Sequence, residues 1–146
     1  MGRVSTYLNF MGNTEEAFNF YASVFGTEFL FPINRMSEVP DDENTPPLSG
    51  SEKRLVMHVE LPILDGHLLM GTDVLASMGH ELKVGNNVTI NLEPDTREET
   101  DRLYDALSAG GQEGSGMHEM FWGSYWGSCL DRFGVRWMFN FPLASQ

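Results

Sequence analysis

The fold is decided by a strand, a turn and the start of a helix near the beginning of the chain, Tyr7-Leu8-Asn9-Phe10-Met11-Gly12-Asn13-Thr14-Glu15-Glu16-Ala17. Residues 5–10 have the composition of a strand, and Gly12-Asn13 predicts the turn that follows it. Asn13 is the expected N-cap of a helix over residues 13–25, and Glu16 completes a capping box. Gly26 supplies the C-terminal stop.

Three further strands are predicted in the first half of the chain, over residues 28–35, 54–61 and 67–72. A loop rich in proline and acidic residues, 37–50, separates the first of them from the second, because proline cannot lie inside a sheet. Asp65-Gly66 is a hairpin signal between the last two. This half therefore has the order strand, helix and three strands.

The same order recurs in the second half. Residues 87–93 predict a strand, and a helix runs from Asp95 to about Ala109, with Asp95 and Glu98 as its capping pair. Gly110-Gly111 supplies the stop, and three short strands fit between residues 112 and 141. The repeated order predicts an α+β domain over 1–146, made of two β-α-β-β-β modules, about 1–73 and 84–146, joined by a short linker.

Composition narrows the class of protein and its partners. The chain has 146 residues and a net charge of -12, which disfavours binding to nucleic acid. Its single cysteine excludes an internal disulfide and suits a reducing compartment. Because no apolar run is long enough to span a bilayer and no signal peptide is evident, we expect a soluble cytoplasmic protein without a membrane partner.

Four stretches carry a family resemblance, namely 7–17 with Phe20-Tyr21, 58–73, Phe121-Trp122-Gly123 and 131–140. In this order they resemble PhnB-like proteins of the vicinal oxygen chelate superfamily, also called the glyoxalase, bleomycin resistance and dioxygenase superfamily. The resemblance implies paired modules that form a curved mixed sheet around a small-molecule cavity, commonly as a homodimer. It does not imply one activity, because this fold carries isomerases, dioxygenases, thiol transferases and binding proteins.

Enzymes of the superfamily place a His, Glu or Gln metal ligand on each of four cavity strands. By strand position, these places fall near Thr6 or Tyr7, Met70 or Gly71, Asn87, and Met138. None of these residues is a His, Glu or Gln, so we predict that the usual metal site is absent and that no cofactor is bound. Some members carry a demethylubiquinone methyltransferase label, but no glycine-rich cofactor-binding turn after a strand supports methyl transfer here.

Strand alternation indicates where a ligand would bind. Each of four predicted strands has one apolar face and one mostly polar face, and in a sheet that curves around a cavity the polar face would line it. Two tryptophans beside glycines could close that cavity. The predicted substrate-binding residues are Tyr7, Asn9, His58, Glu60, Asn91, Trp122, Trp126, Arg136 and Met138.

Catalytic residues cannot be named from this sequence. Cys129 has the pattern of a small buried residue rather than a nucleophile, and no nucleophile elbow occurs. The first interpretation is therefore a metal-independent small-molecule-binding protein. The alternative is a metal-dependent lyase, isomerase or dioxygenase with a relocated site around His58 and Glu60. A third is a sequestering protein that holds a drug or metabolite across the groove of a homodimer, and whether the dimer exchanges domains is left open.

Overall fold

The computed structural model describes residues 2–144. Contacts divide the chain into two compact units, Met1–Lys83 and Val84–Gln146. The prediction that both modules belong to a single domain stays a prediction.

The first unit contains a four-stranded mixed sheet with one long helix. Its elements are β1 (Thr6–Phe10), α1 (Thr14–Phe25), β2 (Asn34–Arg35), the short α2 (Gly50–Lys53), β3 (Val56–Pro62) and β4 (Leu68–Asp73). The strand order is β1-β4-β3-β2. β1 runs parallel to β4, whereas the β3 pairings with β4 and β2 are antiparallel.

The second unit repeats this topology. Its elements are β5 (Ile90–Leu92), α3 (Arg97–Ser108), β6 (His118–Met120), β7 (Ser124–Leu130) and β8 (Arg136–Pro142). The order is β5-β8-β7-β6, and β5 is parallel to β8 as β1 is to β4. The predicted α+β class and the two β-α-β-β-β modules are therefore confirmed.

Helix α1 packs against one face of the first sheet. Its apolar stripe, which includes Phe18 and Tyr21, is fully buried. Phe18 meets Phe10 edge to face, and a Cβ added to Gly71 would lie 2.6 Å from the Phe18 ring. Glycine is thus required on β4 where the helix approaches the strand, and the alternate residues of the sheet lie on the face that has no helix.

Helix α3 covers one face of the second sheet in the same way. Trp137 and Phe139 of β8 are fully buried, and Tyr104 of α3 contacts Phe139 with ring centroids 5.3 Å apart. Because side chains alternate along a strand, Arg136 and Met138 lie on the opposite, helix-free face. The predicted two-faced character of the last strand is confirmed.

The helix caps differ from the predictions. Asn13 occupies the N-cap of α1, but its side chain makes no capping hydrogen bond. The carboxylate of Asp73, at the end of β4, accepts from the backbone N–H groups of Gly12 and Thr14 instead. At α3 the cap is Thr96, whose hydroxyl accepts from the Glu99 N–H, so the predicted Asp95 was wrong by one residue.

Two predicted strands were too long. Of the residues 28–35 only Asn34–Arg35 form a strand, although the Leu30 N–H also donates to the Glu60 carbonyl of β3. Pro32, which lies between Leu30 and Asn34, has no N–H to donate to a ladder. Of the residues 87–93 only Ile90–Leu92 form β5. Val88 therefore does not face the helix as predicted, and 71% of it is exposed.

Candidate functional site

Four predicted site residues lie on the helix-free face of the first sheet. Tyr7 on β1 and Glu60 on β3 both pair with Met70 of β4, one position away from the helix-facing Gly71. His58 follows on the same face of β3, and Asn9 on the same face of β1. Asn9 also borders an open depression of about 430 Å³ that residues 80–83 line from the other side.

Tyr7, His58 and Glu60 form a continuous hydrogen-bonded chain. The Tyr7 hydroxyl lies 3.1 Å from His58 Nδ1, and His58 Nε2 lies 2.8 Å from Glu60 Oε2. In the neutral imidazole, Nε2–H donates to the carboxylate while Nδ1 accepts from the tyrosine, and this tautomer is inferred from the geometry of the network. Phe31 stacks on the imidazole with ring centroids 6.2 Å apart. Both ring nitrogens are therefore engaged within the chain.

The Tyr7 hydroxyl remains protonated in this setting. Tyr7 is 47% exposed, and its partial burial raises its pKa above the ordinary value of a tyrosine. A hydrogen bond with Thr72 partly opposes this, and the nearby charge of Glu60 raises the pKa further. Tyr7 can therefore serve as a hydrogen-bond donor at neutral pH. Thr72 and Phe31 were missed in the sequence, since strand pairing places Thr72 beside this group and only the tertiary fold brings the Phe31 ring onto His58.

The second helix-free face carries polar and apolar side chains in neighbouring positions. Met138 of β8 pairs with Asn91 of β5 on one side and with Ser128 of β7 on the other. Asn140 pairs with Trp126 of β7, which is half-buried. The Asn140 amide donates to Asn91 Oδ1 at 2.6 Å and accepts from the Ser124 hydroxyl at 3.0 Å. The structure therefore brings together Asn91, Trp126 and Met138 as a continuous surface.

Arg136 lies at the other end of this surface. Its Nη2 donates to Glu113 Oε2 at 3.0 Å, and 24% of the arginine side chain is exposed. Its Nε atom is buried and has no hydrogen-bond partner among residues 2–144. Sequence patterns indicated Arg136 and Asn140 through alternation on β8, but no local signal indicated Glu113.

Trp122 lies outside the strands of the second sheet. It occupies the hairpin between β6 and β7, where 54% of it is exposed, and it packs edge to face on Phe121. The neighbouring Gly123 has a φ of 91°, which the turn requires. Of the nine predicted site residues, Trp122 alone is placed at a hairpin tip.

Cys129 is a structural residue. Its side chain is buried on the helix side of β7, and burial, together with the charge of Asp131, raises its pKa to about 12. The thiolate that a nucleophile needs is therefore scarce at neutral pH. The prediction that Cys129 is a small buried residue is confirmed.

Comparison with known proteins identifies the family. The model of the 3-demethylubiquinone-9 3-methyltransferase family matches residues 2–139. The chain belongs to this family. Its relatives include protein YjdN of Escherichia coli strain K12, which is 31% identical over 142 residues and is matched over 94% of this chain and 93% of its own.

Solved structures extend the family assignment to the fold. Protein PA1353 from Pseudomonas aeruginosa has a TM-score of 0.81 and 27% identity, with 99% of this chain and 100% of that chain covered. A Bacillus cereus PhnB protein, described as a 3-demethylubiquinone-9 3-methyltransferase, has a TM-score of 0.70 and 26% identity, with 96% of this chain and 99% of that chain covered.

More distant structures show only the fold. Two glyoxalase/bleomycin resistance/dioxygenase proteins have TM-scores of 0.61 and 0.63 at 18% and 10% identity. The PhnB-like resemblance and the glyoxalase-like fold are confirmed. Family membership does not assign a reaction to this chain.

The residues of this family member do not fit the usual superfamily metal site. In the first unit the ligand places fall on the pair Tyr7 and Met70. By the equivalent parallel pairing, those of the second unit fall on Asn91 and Met138, so the predicted place at Asn87 was wrong because that residue precedes β5. A phenol, an amide and two thioethers are poor donors for divalent transition metals.

A relocated metal site around His58 and Glu60 lacks further metal-ligating side chains in the part of the chain that the structure describes. No group of three or more His, Cys, Asp or Glu side chains in the described part of the chain could hold a metal ion. The two residues bond to each other instead. The absence of a metal stays a prediction, and it can be tested directly.

We expect zinc, nickel, manganese and iron each to leave the melting temperature of this protein unchanged. A metal that bound only the native state would add about 2.7 kcal/mol at a hundred times its dissociation constant, a shift that thermal denaturation detects easily. Elemental analysis of the purified chain serves as the independent measurement. About one ion per chain, lost in a His58→Ala variant, would contradict the prediction and support the metalloenzyme alternative.

Proposed function

We propose that this protein binds a small organic molecule without the help of a metal ion. The proposal is carried by the helix-free surface of the second unit, which has Arg136 at one end, Met138 beside Asn91 at the centre and Asn140 beside Trp126 at the other end. Binding sites of this kind combine an apolar centre with a few polar groups that orient the ligand. The Tyr7, His58 and Glu60 chain supports the proposal as a second cluster of polar groups on a helix-free face.

The size of the surface suits a metabolite. Positions 136 and 140 are four residues apart on one strand, which corresponds to roughly 13 Å at about 3.3 Å per residue. A ligand spanning this distance would contact Met138 and the half-buried Trp126 along its length. The sequestering interpretation, in which a drug or metabolite is held across a dimer groove, belongs to the same proposal.

Assembly and location remain proposals. We propose a homodimer with an interface of at least roughly 1,000 Å² in total, which is the usual lower limit for a specific interface. A net charge of -12 is the support for excluding nucleic acid as a partner. Among residues 2–144, no helix combines the length and the apolar character that crossing a bilayer requires. We keep the cytoplasm as the proposed location.

Arg136→Ala is expected to remove ligand binding while leaving the fold intact. Ligands are first identified by mass spectrometry of small molecules that copurify from the native host, and by a metabolite screen for increased melting temperature. Loss of a partly exposed ion pair costs about 0–1 kcal/mol. The variant should therefore melt within about 4 °C of the parent and show no ligand-induced shift.

Arg102→Ala provides the matched control, because Arg102 also pairs with a glutamate but lies on helix α3. It should keep the full ligand-induced shift. An equal shift in the parent and in Arg136→Ala would refute the assignment of this surface. A large loss of melting temperature in Arg136→Ala would instead give the residue a structural role.

A further inference from the structure

The guanidinium of Arg136 has hydrogen-bond donors that are only partly satisfied. Its Nη2 makes one hydrogen bond to Glu113, and its Nε has no partner in the part of the chain that the structure describes. Nε–H and Nη2–H point in the same direction along one edge of the guanidinium plane. A carboxylate satisfies such an edge with two parallel hydrogen bonds. Glu113 makes only one of these bonds, so the edge is left half satisfied.

The backbone at Glu113 is fixed, whereas its side chain is largely exposed. Its φ is 53°, in the left-handed region that residues other than glycine rarely occupy. The preceding residue, Gln112, is fixed to Leu130 by two backbone hydrogen bonds of 2.8 and 2.9 Å. More than half of the Glu113 side chain is exposed, so its carboxylate can leave Arg136 and enter water at little cost.

We infer that the Arg136 edge is the binding place for the carboxylate group of a small molecule, and that Glu113 occupies this place while the ligand is absent. The inference rests on the proposed function and adds the chemical class of the ligand. Because the Nε atom is buried, a ligand reaches the edge only when a covering group moves away. Glu113 is the group bonded to that edge, and it competes with the ligand for the same donor.

This arrangement makes Glu113 a selectivity residue. A neutral ligand gains one hydrogen bond from Arg136 and must still break the ion pair, whereas a carboxylate replaces that pair and also satisfies Nε. Neutral ligands are therefore disfavoured. A carboxylate attached to an apolar body gains additional contact with Met138, the neighbour of Arg136 on the same face of β8. The ligand class inferred here is a small monocarboxylate with an apolar or aromatic body.

Benzoate is a suitable probe, and benzamide is its uncharged counterpart of the same shape. Binding is measured by two-dimensional ¹H–¹⁵N NMR on the Arg136 Nε–H resonance, which an Arg136→Lys variant identifies by its disappearance. Benzoate is expected to move this resonance strongly downfield as Nε gains an acceptor, and benzamide is expected to leave it in place. A merely structural arginine would show no change of this resonance with either compound.

Glu113→Gln is expected to tighten benzoate binding by about fivefold, the equivalent of removing one partly exposed competing ion pair of about 1 kcal/mol. Glu113→Asn should give the same gain, since asparagine tolerates the left-handed backbone and has no charge. The matched control is Glu99→Gln, which removes the same unit of charge from another glutamate paired to an arginine of this unit. It should change the affinity by less than twofold.

The outcomes separate this inference from the proposed function. If benzoate moves the Arg136 resonance equally well in the parent and in both Glu113 variants, Glu113 is not a competitor and the inference is overturned, while ligand binding at Arg136 stands. If benzoate and benzamide behave alike, the carboxylate class is wrong. If metabolites raise the melting temperature and Arg136→Ala retains that shift, the surface assigned in the proposed function is wrong.

Discussion

Replacing Asp73 with alanine is expected to lower the free energy of unfolding by about 3–5 kcal/mol. Only 3% of Asp73 is exposed, and its carboxylate accepts four hydrogen bonds. One oxygen accepts from the Gly12 and Thr14 N–H groups at 2.9 and 3.1 Å and from the Thr14 hydroxyl at 2.7 Å. The other accepts from the Val56 N–H at 2.9 Å.

The large effect follows from what alanine leaves behind. Thr14 and Val56 are buried, so their donors cannot turn to water when the carboxylate is removed, and each unsatisfied donor costs about 1–3 kcal/mol. Relief of the buried charge returns part of this cost. Asp73 also joins three elements, because it caps α1 from the end of β4 and holds the first residue of β3.

Urea denaturation measures this difference in the free energy of unfolding. The slope of that free energy against urea concentration should be the same in both proteins, which shows that the same unfolding reaction is compared. Asp41→Ala is the control, since Asp41 is exposed in the acidic loop and should stay within about 0.5 kcal/mol of the parent. A loss below 1 kcal/mol in Asp73→Ala would mean that the four donors find other acceptors.

The second large effect is expected at Gly111, where alanine should cost about 2–3 kcal/mol through overpacking. A Cβ on Gly111 would lie 2.1 Å from the carbonyl oxygen of Leu130 and 3.1 Å from the Cα of Asp131. Both are backbone atoms, so no side-chain rotation can relieve the contact. The Leu130 carbonyl also accepts from the Gln112 N–H, and this bridge must shift if the methyl group is to fit.

Gly50→Ala is the matched control for thermal and urea denaturation. No atom lies within 4 Å of a Cβ at Gly50, and this residue begins helix α2, where alanine is favoured over glycine. The control should therefore be neutral or slightly stabilising. If Gly111→Ala melts at the temperature of the parent, the backbone after α3 can shift to make room for the methyl group, and the prediction is wrong.

The same variant should also affect Arg136. Because Gly111 precedes Gln112, whose backbone bonds to Leu130 hold the chain before Glu113, we expect the Arg136 Nε–H resonance to move in Gly111→Ala.

Much of the fold could be predicted because its signals are local. The α1 helix, its glycine stop at Gly26 and the hairpin at Asp65-Gly66 are set by residues within a few positions of each other. The buried face of β8 follows from a two-residue alternation in the same way. The prediction of Asp95 as a cap failed at a choice between two adjacent residues that both match the local pattern. The strands predicted over 28–35 and 87–93 were too long, because pairing with a neighbouring strand decides where a strand begins and ends.

The amino-acid sequence by itself therefore determined the order of elements, the two modules, the faces of the last strand and the family. It also showed that the places expected for metal ligands hold no His, Glu or Gln, because donor chemistry is a property of residue type. Tertiary structure alone decided which distant residues meet. The Asp73 carboxylate accepts a hydrogen bond from the Gly12 N–H, 61 residues earlier in the chain. His58 bonds to Tyr7 across 51 positions, and Arg136 bonds to Glu113 across 23 positions. A sequence periodicity of 2 or 3.6 residues cannot indicate which of these distant residues will be in contact. Their contacts depend on strand register, and register is fixed only when the sheet and its helix pack together.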